Sequence, residues 1–344
     1  VVIFDCELTP NQQKELRTIF QCDVVDRTGL ILDIFSLHAQ SKEASLQVEL
    51  AMSVYLKPRL AGLGKTLNQQ GGGIGTRGPG ETKLETDSRL IDNRINKLKK
   101  ELKKIEKQRN VQSSSREKNN IPLVSIVGYT NAGKSTLLKK LTNSDAYAAD
   151  ELFATVDSLQ RELRIKDIQD PLILSDTVGF IQNLPTTLIE SFKSTLMVAT
   201  KADLLVHLVD AATALPEMHI NTVVSILKQI DAKSNEIMVF NKIDKIDKAS
   251  LNQLKESYPQ ALFVSSLKND GLDLLKDRIA EEIFGIVSLG SYQINPSKLD
   301  TVAKFGKILN VKNESNYLVL ELEMRDKLVD RLLNLKIMEK NINA

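Results

Sequence analysis

Residues 121–136, IPLVSIVGYTNAGKST, constrain the fold of this chain more than any other stretch. An apolar run reads as a buried strand. Gly128 and Gly133 then bracket Tyr129, Thr130, Asn131 and Ala132, and Lys134, Ser135 and Thr136 open a helix carried on by Leu137, Leu138 and Leu141. This is the phosphate-binding pattern G-x-x-x-x-G-K-S, in the strand-loop-helix setting that gives it meaning. Glycine lets backbone N–H groups turn inward around phosphate oxygens. A helix that starts at this point favours negative charge through its free N–H groups and dipole. Lys134 is expected on the β- and γ-phosphates, and the Ser135 hydroxyl on Mg²⁺.

Downstream, strands expected at 159–165, 172–175, 204–209, 237–240 and 262–264 alternate with helices at about 186–199, 217–230, 249–258 and 272–284. Such alternation builds a mostly parallel, doubly wound sheet, whose ligands bind at strand C-terminal ends. The remaining motifs fall at those ends. Asp176-Thr177-Val178-Gly179 follows PLILS; the acid suits Mg²⁺, usually through water, and the Gly179 N–H suits a γ-phosphate. Asn241-Lys242-Ile243-Asp244 follows IMVF. Its Asp244 carboxylate can accept both N–H donors of a guanine edge, where adenine presents an acceptor. Ser265-Ser266-Leu267 can offer a backbone N–H to the guanine oxygen. Phe153-Ala154-Thr155 lies between the loop helix and the next strand, where the Thr155 hydroxyl can complete the Mg²⁺ shell. Four motifs in this order imply a guanine-nucleotide site with Mg²⁺.

The residues before this domain divide into two parts. Residues 1–40 read as a small β-α-β unit with a following helix. Two helices follow, at 41–60 and about 85–109, with apolar residues alternating four and three apart (Ala44, Val48, Ala51, Tyr55; Ile91, Ile95, Leu98, Leu102, Ile105). Such seams pair side by side, so an antiparallel hairpin is expected over about 41–110. Between the helices, residues 71–80 hold six of the 16 glycines, including Gly71, Gly72 and Gly73 beside Arg77. Neither helix nor strand tolerates that density, and a loop this long is functional or a linker. The second helix carries nine Lys/Arg against three acids between 89 and 109, a net +6 in a chain of net +2. Lys99, Lys100, Lys103 and Lys104 are the central candidates for contact with a phosphate backbone, although a solvated face gives the same pattern. Residues 111–120, VQSSSREKNN, read as a linker.

Composition sets the outer bounds. At 344 residues, 42% hydrophobic and 26% charged, the chain suits a soluble multidomain protein. Two cysteines, Cys6 and Cys22, suit a reducing compartment; no apolar run approaches a membrane span, and VVIFDCEL lacks a signal-peptide pattern. A cytoplasmic monomer is expected, with no stable membrane insertion. The first residue is Val1, so elements upstream are expected to be missing.

VGYTNAGKST, LFATVD, DTVGFIQNLP and NKID, together with GGGIGTRGPGETKLETDSRLI before a helical hairpin, resemble the HflX family of translational GTPases over nearly the whole chain. The glycine-rich run is the most specific of these. The text after Thr155 departs from the family's usual LDPTTR. The resemblance implies a GTPase that binds GTP and GDP and associates with the large ribosomal subunit. In the family the tip and helices reach ribosomal RNA near the peptidyl-transferase centre, and binding splits idle or stalled ribosomes. The expected division is an N-terminal domain over 1–115, a P-loop GTPase domain over 116–285, and a small α+β piece over 286–344. In that last piece a helix at 296–307, two strands within 308–323 and a helix at 325–335 are expected.

Lys134, Thr155 and Gly179 are the expected catalytic set. Phe180 stands where many GTPases carry a glutamine that orients the attacking water, so hydrolysis is expected to be slow without a partner. Asn131 resembles the asparagine of GTPases that use K⁺ as a fixed charge; the alternative is that it braces the loop. Two other functions share these motifs: a cation-dependent GTPase in RNA modification, and a non-hydrolysing GTP-gated RNA-binding module.

Overall fold

The computed structural model describes residues 1–60, 83–142, 159–165, 168, 171–182, 193–314 and 316–341. The glycine-rich run with Gly71, Gly72, Gly73 and Arg77, and the segment with Phe153, Ala154 and Thr155, lie outside these residues.

β1 (Val2–Phe4) and β2 (Val24–Asp26) pair in parallel, joined by α1 (Pro10–Phe20). Thr9 and Gln12 form a reciprocal capping box at the start of α1, with Pro10 preset for a first helical turn. Asp26 then caps α2 (Arg27–His38) through the Gly29 N–H. This carboxylate is fully buried and also accepts from Leu8 N–H, Tyr55 hydroxyl and Arg59 Nη2, at 2.8–3.1 Å. Arg59 lies over the Tyr55 ring and donates to the Leu8 carbonyl. Burial and the Asp26 charge push the Tyr55 hydroxyl up to about 12. Removing one partner would strand a buried charge, at a cost of about 3–5 kcal/mol.

α3 (Lys42–Leu56), capped by Ser41, runs antiparallel to α4 (Lys83–Lys118). Leu46, Leu50 and Val54 face Ile91, Ile95, Leu98, Leu102 and Ile105. The stripe expected to make this seam from α3, Ala44, Val48, Ala51 and Tyr55, instead packs against Ile31, Leu32 and Phe35 of α2, because α3 is apolar on two sides and serves both neighbours. The helix runs nine residues beyond its expected end at 109, so the stretch expected as a linker is helical through Lys118. No Gly or Pro interrupts 83–118, and tertiary contacts fix the polar end. Lys201 Nζ donates to Asn110 Oδ1 at 2.7 Å, and Arg116 Nη2 reaches the Lys201 carbonyl at 3.4 Å. Asn120, with φ 50°, turns the chain out of the helix.

The central sheet has the order β4-β5-β3-β6-β7-β8: β4 (Gln160–Leu163), β5 (Leu172–Asp176), β3 (Leu123–Gly128), β6 (Leu204–Asp210), β7 (Asn235–Asn241) and β8 (Leu262–Phe263). Only the edge strand β4 is antiparallel to its neighbour. α5 (Lys134–Thr142), α6 (Lys193–Thr200), α7 (Pro216–Gln229), α8 (Lys248–Ser257) and α9 (Leu272–Phe284) cover it. β3 is buried on both faces, as a central parallel strand must be. This is the α/β architecture of a P-loop domain.

The C-terminal piece differs from its expected pattern. β9 (Val287–Ile294) and β12 (Met338–Lys340) join β10 (Gly306–Asn313) and β11 (Leu318–Arg325) in an antiparallel sheet ordered β10-β11-β9-β12. The helix expected over 296–307 shrinks to a 3₁₀ turn at Pro296–Lys298 and α10 (Leu299–Val302). β9 was hidden because its first half, VSLG, is exposed or half-buried and lacks clean alternation. α11 (Asp326–Asn334) packs Leu328, Val329 and Leu332 into a core continuous with the central domain.

Candidate functional site

β3, β5, β6 and β7 carry the motif residues to one end of the sheet. Gly133 has φ 94°, and a Cβ there would lie 2.4 Å from Asn241 Nδ2, so only glycine fits. Asn241 is the brace of the loop. Its Nδ2 donates to the Ala132 carbonyl at 2.9 Å, and its Oδ1 accepts from Ser266 N–H and hydroxyl. Lys242, itself at φ 65°, donates to the Asn131 carbonyl at 2.6 Å and pairs with Asp210 at 2.9 Å. Asn131 Oδ1 stands 3.4 Å from the same ammonium. Asp210 was missed in the sequence; it ends the apolar strand LLVHLVD, the same strand-end signal that singled out Asp176.

The Lys134 ammonium is buried at 6% exposure and donates to the Gly128 and Tyr129 carbonyls at 3.2 and 3.0 Å. Burial holds it down to about 8, against a smaller upward pull from Asp176. A buried cation supported mainly by loop carbonyls is suited to accept anionic oxygens in their place. A Cβ on Gly179 would lie 2.8 Å from Thr130 Cγ2 and 3.1 Å from Lys134 Nζ, so the absence of a side chain keeps this cradle open.

The Ser135 hydroxyl donates to Asp176 Oδ2 at 2.7 Å. Hydroxyl and carboxylate thus converge beside the loop, and this hard-oxygen pair fits Mg²⁺ completed by phosphates and water. No group of three or more His, Cys, Asp or Glu gathers among the described residues, so a site made wholly of protein ligands is not formed by them. Thr177 Oγ1 is turned inward onto the Ile126 carbonyl.

At the base end, Ser265 donates to Asp244 Oδ1 at 2.5 Å, and its oxygen accepts from Lys268 N–H. The Ser265 and Ser266 amides are spent on the Asp270 carbonyl and Asn241 Oδ1. Leu267 is 67% exposed beside them.

Phe180 is 2% exposed, with its ring among Leu123, Val127, Leu196, Val223 and Ile226. Its backbone binds the loop on both sides: Phe180 N–H to Gly128 O at 3.1 Å, and Thr130 N–H to Phe180 O at 2.8 Å. The ring that replaces the usual glutamine therefore points into the core, and the residue acts as an anchor. Further along, Val178 and Ile181 pack into the cluster of α2 and α3, and Arg27 donates to the Gln182 carbonyl at 3.0 Å. These links join partners 155 residues apart in sequence and carry no local signal.

The hairpin sorts its charges by face. Lys57–Asp92, Arg94–Glu49 and Arg109–Glu43 pair along the α3–α4 seam. Lys97, Lys99, Lys100, Lys103, Lys104 and Lys107 are exposed, and among the described residues none forms an ion pair.

Fold and site together define a P-loop GTPase. Family descriptions match in succession: a GTP-binding GTPase N-terminal region over 1–36, a GTP-binding GTPase middle region over 38–116, and a 50S ribosome-binding GTPase over 123–242. GTPase HflX of Caldanaerobacter subterraneus subsp. tengcongensis is 43% identical over 338 residues, covering 97% of this chain and 78% of that protein. GTPase HflX of Escherichia coli K12 is 41% identical over 317 residues, covering 91% and 74%. A GTP-binding protein from Sulfolobus solfataricus, solved with GDP, is 28% identical, with 82% of this chain and 79% of that chain covered at a TM-score of 0.47. The chain belongs to the HflX family of GTPases. It binds guanine nucleotides and hydrolyses GTP, and Mg²⁺ is the metal that GTPases of this kind generally use. Among the described residues no helix is long and apolar enough to cross a membrane.

Proposed function

We propose that this GTPase associates with the large ribosomal subunit, in the cytoplasm and as a monomer, and that its hairpin makes the RNA contact. The observation that carries the reading is the charge sorting on α4. Arg94 and Arg109 pair with acids of α3, while six lysines stand exposed and unmatched among the described residues. Exposed cations that satisfy nothing internally are suited to phosphate, with strong salt dependence. The 50S ribosome-binding description of the central domain and the HflX relatives support the same partner. Gly71, Gly72, Gly73 and Arg77 belong to this reading as a tip that approaches RNA by shape. The domain division at 115 and 285 is retained as a proposal, with α4 as the rigid link into the GTPase domain. Splitting of idle or stalled ribosomes is the proposed outcome of binding.

Within the site, Gly128 to Thr136 hold the phosphates, and Ser135 with Asp176 holds Mg²⁺, completed by Thr155. When bound, the metal neutralises charge on the β- and γ-phosphates. Lys134 stabilises charge on the same oxygens, and the Gly179 amide donates to the γ-phosphate. Asp244, fixed by Ser265, reads the guanine N–H edge, and Leu267 offers the remaining amide to the guanine oxygen. With the Phe180 ring held in the core, no side chain at 180 is available to orient water, so the large subunit is the proposed activator. For Asn131, proximity to Lys242 favours bracing the loop over binding K⁺.

Turnover with and without large subunits, in Na⁺ and then in K⁺, tests the whole reading. Strong stimulation by the subunit, equal in both salts, is expected. Turnover indifferent to the subunit removes the ribosomal role, and stimulation by K⁺ alone restores the cation role of Asn131.

A further inference from the structure

Tyr129 is the second residue of the phosphate loop, where cradling phosphate calls on backbone rather than on an aromatic side chain. Its ring lies flat on the imidazole of His219, near the start of α7, with centroids 3.9 Å apart and planes 5° apart. Burial holds His219 below its usual value, so the imidazole is neutral at pH 7 and the contact is aromatic packing. The stack fixes where the phenol points. Its hydroxyl oxygen accepts the Gln182 N–H at 3.2 Å.

Gln182 stands three residues beyond Gly179, and the intervening chain is already tied to the loop at Phe180 by two backbone bonds. The phosphate loop therefore grips this segment twice: by the Gly128 and Thr130 backbone at Phe180, and by the Tyr129 side chain at Gln182. Arg27 holds the carbonyl of Gln182 from α2, and the Tyr129 hydroxyl holds its amide from the loop, so the loop itself fixes the segment on both sides of Ile181. Gly179 lies just before both, against Thr130 and the Lys134 ammonium.

We propose that Tyr129 is a positioning residue for GTP hydrolysis: stacked on His219, its hydroxyl holds the Gln182 amide and so aligns the segment that aims the Gly179 N–H. The proposal rests on the reading of Gly179 as the γ-phosphate donor.

Steady-state kinetics of Tyr129→Phe, His219→Leu and their double variant test it, with GDP affinity measured alongside as a check on folding. Tyr129→Phe keeps the ring and loses only the acceptor. A hydrogen bond worth about 0.5–1.5 kcal/mol predicts a fall in kcat of roughly 2- to 10-fold, with KM and GDP affinity within about twofold of the parent. His219→Leu should lower kcat less, and adding it to Tyr129→Phe should lower kcat little further, because both act through one contact. An unchanged kcat in Tyr129→Phe overturns the proposal. A raised kcat also overturns it, because the bond would then be a brake. Gly179→Ala keeps the two readings apart: if it leaves turnover unchanged, the γ-phosphate role of Gly179 fails, whatever Tyr129 does.

Discussion

The phosphate loop and helix α4 both depend on lysine, and they use it in opposite ways. Lys134 is a single ammonium buried against two carbonyls, held down to about 8 by desolvation. Lys97, Lys99, Lys100, Lys103, Lys104 and Lys107 are exposed on one helix. A buried charge interacts strongly with whatever replaces its lost water, and salt screens it little. Exposed charges each contribute little, yet their sum is long-ranged and falls with ionic strength. The first arrangement suits one ligand in one geometry, and the second suits an extended polyanion.

The largest expected effect is at the buried lysine. Lys134→Met should weaken GTP and GDP binding by about 30- to 4,000-fold, the scale of about 2–5 kcal/mol for truncating a buried charge partner. Its melting temperature without nucleotide should not fall, because a poorly solvated charge is removed from the interior. Titration calorimetry and thermal denaturation on the same sample check both halves. Near-normal affinity would erase the contrast with α4.

Next is Asp244→Asn, which exchanges a carboxylate accepting two N–H groups for an amide with a donor. GTP affinity should drop roughly 10²-fold while xanthosine triphosphate gains, since each hydrogen bond to a charged group is worth about 1.5–3 kcal/mol. Competition between the two nucleotides measures it; retained guanine preference would move base reading elsewhere.

The contrast sharpens with the exposed set. Neutralising Lys99, Lys100, Lys103 and Lys104 together should reduce the slope of log affinity for the large subunit against log salt by about 3, at about 0.7–0.9 per phosphate contact. GTP affinity should stay unchanged. Bulky residues at Gly72 and Gly73 should weaken docking with the slope little altered. A quadruple variant with the parental slope makes α4 a spacer.

The smallest effect is on pH. Only the ammonium form of Lys134 suits phosphate, and its pKa is depressed in the free protein. Above about pH 8, nucleotide binding should therefore take up a proton, and affinity should fall by up to tenfold per unit towards 10.5. The sign for stability is opposite: the unfolded chain keeps that proton longer, so this group makes the free protein more stable as pH rises from about 8 to 10.5. Calorimetry at pH 8.5 in buffers of different ionisation enthalpy reads the proton uptake directly.

The motif chemistry was legible in the sequence because it is local. Gly128 to Ser135 need fixed spacing on one turn of chain, and Asp176, Asn241 and Ser265 each end a recognisable strand. The α4 half of the hairpin seam was legible too, since Ile91, Ile95, Leu98, Leu102 and Ile105 repeat at helical intervals. The α3 half was not, because α3 is apolar on two sides and its Ala44, Val48, Ala51 and Tyr55 stripe packs on α2 instead. Helix α4 running on to Lys118 was not, because polar residues there are fixed by α6 across the domain boundary rather than by their neighbours. β9 was missed for a related reason: its pairing with β11 and β12 defines it, and its own alternation is poor.

Spacing along the chain is enough to expect a phosphate loop, an acid suited to Mg²⁺ and a carboxylate suited to guanine in that order. Where the side chains between those motifs point depends on packing between elements distant in the chain. Phe180 reads as a missing catalytic group, yet its ring is in the core and its backbone anchors the loop. Lys242 reaches Asn131 and Asp210, and Tyr129 reaches His219 and Gln182, over separations that no local pattern encodes. A motif fixes residue types at short spacing. Burial and hydrogen-bond partners come from elements the fold brings together, and they decide what each residue does there.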